Sequence, residues 1–342
     1  MGDERSDDKQ LRAFCMPFGV AELWNRGIAT CPVRGCAQES PCPDHRIKVH
    51  RTRGGLTYVY DDFYENLLWR ESRDREHLDA ILRVKRESRM GYEHSEDAVT
   101  WNVFRFFERH SMLSAAISNI SACPSGEPLT VFWTTHEGSI WKPWIGCCSD
   151  FSEMAFARSE ADLIFLWPKK MLVVVEAKFR SANCSDPKMR EDELRKAKRY
   201  IEQEQGAKYL NPEGAREAVR EGWYELLRNW ALGTRLADAL SCELFVLVNL
   251  VRKRHKTVHA EDPIAQFAHR ACVLSPSRNF KVAYWEDLVN SATLVLKKSE
   301  SELLNAKEKS RLELLDLSAD SELLIKWAKN KSELLGLPAF NF

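Results

Sequence analysis

Residues 161–178 read Ala-Asp-Leu-Ile-Phe-Leu-Trp, then Pro-Lys-Lys, then Met-Leu-Val-Val-Val-Glu-Ala-Lys. Two apolar runs of strand length, joined by a turn signal, predict a hairpin too apolar to lie on a surface. A third run, residues 243–251 (Glu-Leu-Phe-Val-Leu-Val-Asn-Leu-Val), reads as a strand buried on both faces. Long charged stretches at about 188–205 and 214–240 read as helices between these strands. Helices and buried strands in that order make the fold class α/β.

The remaining chain is organised around that core. Leu67, Leu68, Leu78, Ile81, Leu82 and Val84 recur at helical spacing and predict a helical region over 56–90, closed by Gly91. Ser95 is a good N-cap for a helix from Glu96 to about 119, with Val99, Val103, Phe106 and Phe107 along one stripe. Residues 129–135 and 139–145 flank His136-Glu137-Gly138 and predict a second hairpin. Residues 271–274 and 281–285 suggest short edge strands. The tail from 291 carries Ser-Glu-Leu-Leu at 301, 321 and 332; the irregular spacing points to repeated helix starts, not a solenoid. The expected divisions are 1–55, 56–91, 92–290 and 291–342.

Composition limits the function classes. The 342 residues suggest about two domains. A hydrophobic content of 44% argues against disorder. Fifty basic residues balance fifty acidic ones, so nucleic acid cannot be bound by bulk charge and a local basic patch is required. No run approaches the roughly 18 apolar residues of a membrane helix, and the polar, acidic start does not read as a secretion signal. The expectation is a cytoplasmic protein without a membrane partner.

Alternation on a strand puts Glu176 and Lys178 on one face. A hairpin through Pro168 brings Asp162, at the start of the first strand, beside Glu176 at the end of the second. Two carboxylates there suit a hard divalent cation, Mg²⁺ or Mn²⁺, whose other ligands are water and substrate phosphate. Such an ion stabilises developing charge and lowers the pKa of a bound water. Lys178 keeps its proton beside two carboxylates and orients the attacking water. Glu96, in the first turn of the preceding helix, is the candidate fourth member, with Glu93 in its place if that helix starts earlier.

Glu96, Asp162 and Glu176-Ala177-Lys178 together resemble the signature of the PD-(D/E)xK nuclease superfamily across roughly residues 92–290. The resemblance implies a restriction-endonuclease-like fold, a mixed central sheet flanked by helices, and Mg²⁺-dependent phosphodiester hydrolysis. DNA is the substrate it implies ahead of RNA, with a role in restriction, defence or DNA processing. Ala161 stands where the motif has proline, a departure that touches no ligand. The opposing reading is a catalytically inactive, zinc-stapled nucleic-acid-binding or scaffold protein.

Cys31, Cys36, Cys42 and His45 give C-x4-C-x5-C-x2-H in a segment too poor in apolar residues to build its own core. Four such ligands suit a closed, structural Zn²⁺ site, and the form resembles a short zinc knuckle. An iron–sulfur cluster using Cys15 is the alternative. The other cysteines read as small buried hydrophobes.

Candidate phosphate contacts are Arg180, Arg228, Arg252, Lys253 and Arg254, with further cations on the helix after Lys178. Trp133, Trp141 and Trp144 offer either base stacking or core packing. The C-terminal helices are the candidate surface for a homodimer or a partner protein.

Overall fold

The computed structural model describes residues 48–52, 55–60, 62–85, 88–92, 95–154, 158–179, 187–253, 263–291 and 308–334. In chain order the named elements are β1 (Lys48–Thr52), β2 (Gly55–Val59), α1 (Ser72–Leu82), α2 (Glu96–Arg109), α3 (Leu113–Ser118), β3 (Leu129–Phe132), β4 (Thr135–His136), β5 (Ser139–Ile140) and α4 (Lys142–Asp150). There follow β6 (Leu163–Trp167), β7 (Met171–Ala177), α5 (Arg190–Ile201), α6 (Pro212–Arg220), α7 (Tyr224–Ala239), β8 (Leu244–Val251), α8 (Pro263–Ala271), β9 (Arg278–Tyr284) and α9 (Glu308–Leu334). The chain forms two compact units. One comprises Met1–Arg70, Arg89–Asn102 and Val295–Phe342; the other comprises Glu71–Ser88 and Val103–Leu294.

In the first unit β1 and β2 pair as an antiparallel hairpin. Residues 55–59 are therefore a strand, not the start of a helical region, because Leu-Thr-Tyr-Val is strand-forming and has a partner at Lys48–Thr52. The buried Asn66 organises this unit. Its amide donates to the carbonyls of Met90 and Tyr92 at 2.7 Å each, and its carbonyl oxygen accepts from Lys331 on α9 at 2.6 Å. The tail is helical as expected, over Glu308–Leu334, with Leu324 and Ala328 buried.

The second unit is α/β with a mixed seven-stranded sheet in the order β5-β4-β3-β6-β7-β8-β9, flanked by helices. β3, β6 and β7 pair antiparallel, while β7–β8 and β8–β9 run parallel. Every residue of β6 and β7 is buried, so the anticipated hairpin lies at the sheet's centre. One face carries Leu172, Val174, Phe245 and Leu247 against Leu226, Trp230 and Leu236 of α7. Burying each large side chain of this kind contributes about 1.5–3 kcal/mol. On α7, Gly233 permits the close approach: a Cβ there would lie 2.5 Å from the Phe245 ring. The opposite face packs Phe104 tilted against Phe165 and edge-on to Trp285, at 5.6 and 6.0 Å between centroids.

Several boundaries differ from the sequence reading for local reasons. Ser111 adopts a left-handed φ of 52° and divides the expected 96–119 helix into α2 and α3. Gly222, at φ 96°, divides 214–240 into α6 and α7. The turn at Glu137-Gly138, with both φ positive, joins β4 to β5 as a primed hairpin turn does. The second strand then stops, because Pro143 starts α4 instead of continuing to residue 145. Residues 271–274 form no named strand; Cys272 makes only an isolated bridge to Leu210. Among the described residues no helix is long and apolar enough to cross a membrane.

Candidate active site at the end of the central strands

The β6–β7 register sets Leu163 opposite Val175 and Ile164 opposite Val174. One step further, Asp162 lies just before β6 and continues this register toward Glu176. Asp162 turns one carboxylate oxygen onto the backbone, where Oδ2 accepts from the Ala177 amide at 2.8 Å. On the other side of β7, the parallel register places the buried Asn249 beside Glu176. The strand end thus gathers Asp162, Glu176, Asn249 and, two residues along, Lys178 on one face.

Glu176 is 3% exposed. Its Oε1 lies 2.8 Å from the Lys178 ammonium, and its Oε2 accepts from the Asn229 amide of α7 at 2.6 Å. Lys178 also contacts Oε2 of Glu225, in the first turn of α7, at 2.8 Å. Burial pushes the Glu176 carboxyl above its ordinary pKa against the pull of Lys178. The Lys178 ammonium instead holds the Glu225 carboxyl down at about 2. The pair behaves as one buried and one rim carboxylate sharing a cation.

Arg228 lies beside this pair. Burial opposes its charge, yet Glu225 and Glu176 hold the guanidinium more firmly protonated than usual. Its Nε donates to Asn229 Oδ1 at 3.3 Å and its Nη2 to the Glu160 carbonyl at 3.5 Å. The first bond fixes which way the Asn229 amide points, presenting Nδ2 to Glu176. Close by, the buried Glu153 accepts from Ser159 N at 2.6 Å, from Ser159 Oγ at 2.8 Å and from the Tyr200 hydroxyl. Trp144 Nε1 donates to the Ser159 carbonyl at 2.9 Å. These bonds pin the segment that delivers Asp162 to the strand.

The sequence-derived residues therefore separate. Asp162, Glu176 and Lys178 are brought together as their spacing required. Glu96 does open α2, and Ser95 caps that helix by accepting from Ala98 N at 3.1 Å, but Glu96 belongs to the first unit. Arg228 borders Glu176 and is engaged with the protein's own groups. Arg252, expected on a phosphate track, is 2% exposed, bonds Glu286 at 3.1 Å and lies over the Phe179 ring at 5.2 Å. A guanidinium so enclosed serves the fold and does not face a phosphate backbone. Lys253 is exposed and paired with Asp287. Trp133 and Trp144 are core residues, 1% and 0% exposed, which corrects the base-stacking alternative for them; Trp141 is half-buried against the core. Arg180, Arg254, Glu93 and the Cys31, Cys36, Cys42, His45 and Cys15 set lie outside the described residues.

Three members of the cluster were not singled out from sequence. Asn229 falls on the apolar stripe of α7 and Asn249 interrupts an otherwise apolar strand, so a lone buried amide was the available signal for both. Glu225 gave no such sign, being one acid among many on a helix surface.

The donor chemistry fits a divalent cation of the kind held by one or two carboxylates, with water and substrate oxygens completing its shell. It does not fit an all-protein cage: among the described residues no group of three or more His, Cys, Asp or Glu is arranged to hold a metal. Compared with protein-family models, curated proteins and solved structures, the chain matches none.

Proposed function

We propose that this chain is a metal-dependent nuclease of restriction-endonuclease-like fold, acting on DNA in preference to RNA. One observation carries the reading: Asp162, the residue before β6, bonds the Ala177 amide beside Glu176 at the end of β7, and Glu176 is paired with Lys178. Asp162 and Glu176 are the residues to hold Mg²⁺ or Mn²⁺, which when bound supplies charge stabilisation and a water of lowered pKa. Lys178 orients the attacking water through its ammonium hydrogens and opposes the charge gathering on the phosphoryl oxygens. Asn229 steadies Glu176, and the Asp162–Ala177 hydrogen bond fixes the facing carboxylate. Preorganised charge in a partly enclosed strand end needs little rearrangement during reaction. The Cys31, Cys36, Cys42 and His45 set is proposed as a structural zinc site on its spacing alone.

The test is cleavage of plasmid, linear duplex and single-stranded DNA and of RNA, with Mg²⁺, Mn²⁺ or EDTA, by wild type and Lys178→Ala. The expected result is metal-dependent cutting that falls at least roughly 100-fold in the variant, as loss of a preorganised transition-state contact does. Equal cutting by both proteins refutes the assignment. Nucleic acid bound but cut by neither favours the inactive binding protein.

A further inference from the structure

Among the described residues Lys178 meets two carboxylates at the same distance, 2.8 Å, but they are not equivalent. The Glu176 side chain is 4% exposed, held from the other side by Asn229 and fixed on a central strand. The Glu225 side chain is 48% exposed, on the first turn of α7. Releasing Glu176 would leave a desolvated carboxylate, whereas releasing Glu225 gives up its ion pair with Lys178 but returns a carboxylate to water. An incoming anion competes with both but can displace only the second.

We infer that Glu225 is a resident surrogate for the substrate phosphate, occupying the anion position on Lys178 until a phosphodiester takes its place. This deepens the nuclease reading and rests on it. A phosphodiester carries one negative charge shared by two non-bridging oxygens, so it can replace the Glu225 carboxylate on the ammonium oxygen for oxygen. With both anions present, repulsion between them turns the Glu225 side chain outward. Arg228, whose guanidinium Glu225 and Glu176 together hold protonated, remains to balance Glu176 once Glu225 has left. The position therefore discriminates by competition: a ligand must bind Lys178 better than a tethered carboxylate does.

The inference makes a prediction opposite in sign to a supporting role. If Glu225 competes with phosphate, Glu225→Gln and Glu225→Ala bind nucleic acid more tightly. If Glu225 merely holds Lys178 in place, they bind no better and turn over more slowly. The experiment measures binding of a fluorescein-labelled DNA oligonucleotide by anisotropy in EDTA, so that no cleavage occurs, for wild type, Glu225→Gln, Glu225→Ala, Lys178→Ala and Lys178→Ala/Glu225→Gln. The expected result is affinity higher by roughly threefold to tenfold in both Glu225 variants, the scale of an exposed ion pair plus removed like-charge repulsion. In the Lys178→Ala background most of that gain disappears, because there is no ammonium left to compete for. Unchanged or weaker binding in the Glu225 variants overturns the inference. So does an undiminished gain without Lys178, which would reflect only a less acidic surface. Wild type that binds and cuts while the Glu225 variants bind no better overturns this inference alone. Wild type that neither binds nor cuts any nucleic acid overturns the nuclease reading with it.

Discussion

The second unit holds two buried charge clusters, and they are built on different principles. In one, Asp74 of α1 is 0% exposed and accepts from Arg105 Nε at 2.6 Å and from Arg109 of α2. Arg105 also donates to Glu108 at 2.5 Å, and Arg109 to Glu71 at 2.8 Å. Carboxylates and guanidinia alternate, and the central acid has a cation on each oxygen. In the other, Glu176 shares a single ammonium with Glu225, and its second oxygen takes a neutral amide. The first arrangement puts a guanidinium on each oxygen of the buried acid and joins two helices. The second gives its buried acid an ammonium on one oxygen and a neutral amide on the other, and that ammonium is shared with the exposed Glu225. A buried acid with a cation on each oxygen marks a brace, and a buried acid whose cation is shared with an exposed partner marks a site where another charged species has room to act.

The largest effect that would break this comparison is on stability. Asp74→Asn leaves two guanidinia facing a neutral amide in a buried position, and unfolding by denaturant should show a loss of about 3–5 kcal/mol. Its cleavage rate per folded molecule should stay near that of wild type. A smaller effect sharpens the contrast by pH. His77, beside the brace, has its pKa lowered chiefly by burial. The unfolded chain therefore binds the proton more readily, so this contribution is complete above the ordinary histidine value of 6.5 and is lost as pH falls below it. A thermal-melting series across that range should show stability rising with pH, with a shallower rise in His77→Gln. An unaltered slope in the variant would remove His77 from the account.

The strand pair and its acids were legible because period-two alternation and a proline turn fix both register and face. Once Leu163 meets Val175, the meeting of Asp162 and Glu176 is unavoidable. Helix ends were less legible, since Ser111 and Gly222 change the backbone at single residues inside continuous helical patterns. Arg252 was misjudged for a different reason. A run of Arg and Lys states its charge, but whether Arg252 points outward depends on Glu286, distant in sequence. Glu225 and Asn229 were hidden similarly, because their roles come from the way α7 lies across the sheet.

The central claim is that Asp162 and Glu176 support metal-dependent phosphodiester cleavage while the Asp74 cluster supports only the fold. The most direct measurement is the single-turnover cleavage rate of a labelled DNA against Mg²⁺ concentration for wild type, Asp162→Asn and Asp74→Asn, each shown to be folded. The account predicts Mg²⁺-dependent cleavage by wild type and Asp74→Asn, and a rate at least roughly 100-fold lower for Asp162→Asn. Cleavage by Asp162→Asn at the wild-type rate, or cleavage that persists in EDTA, would contradict it.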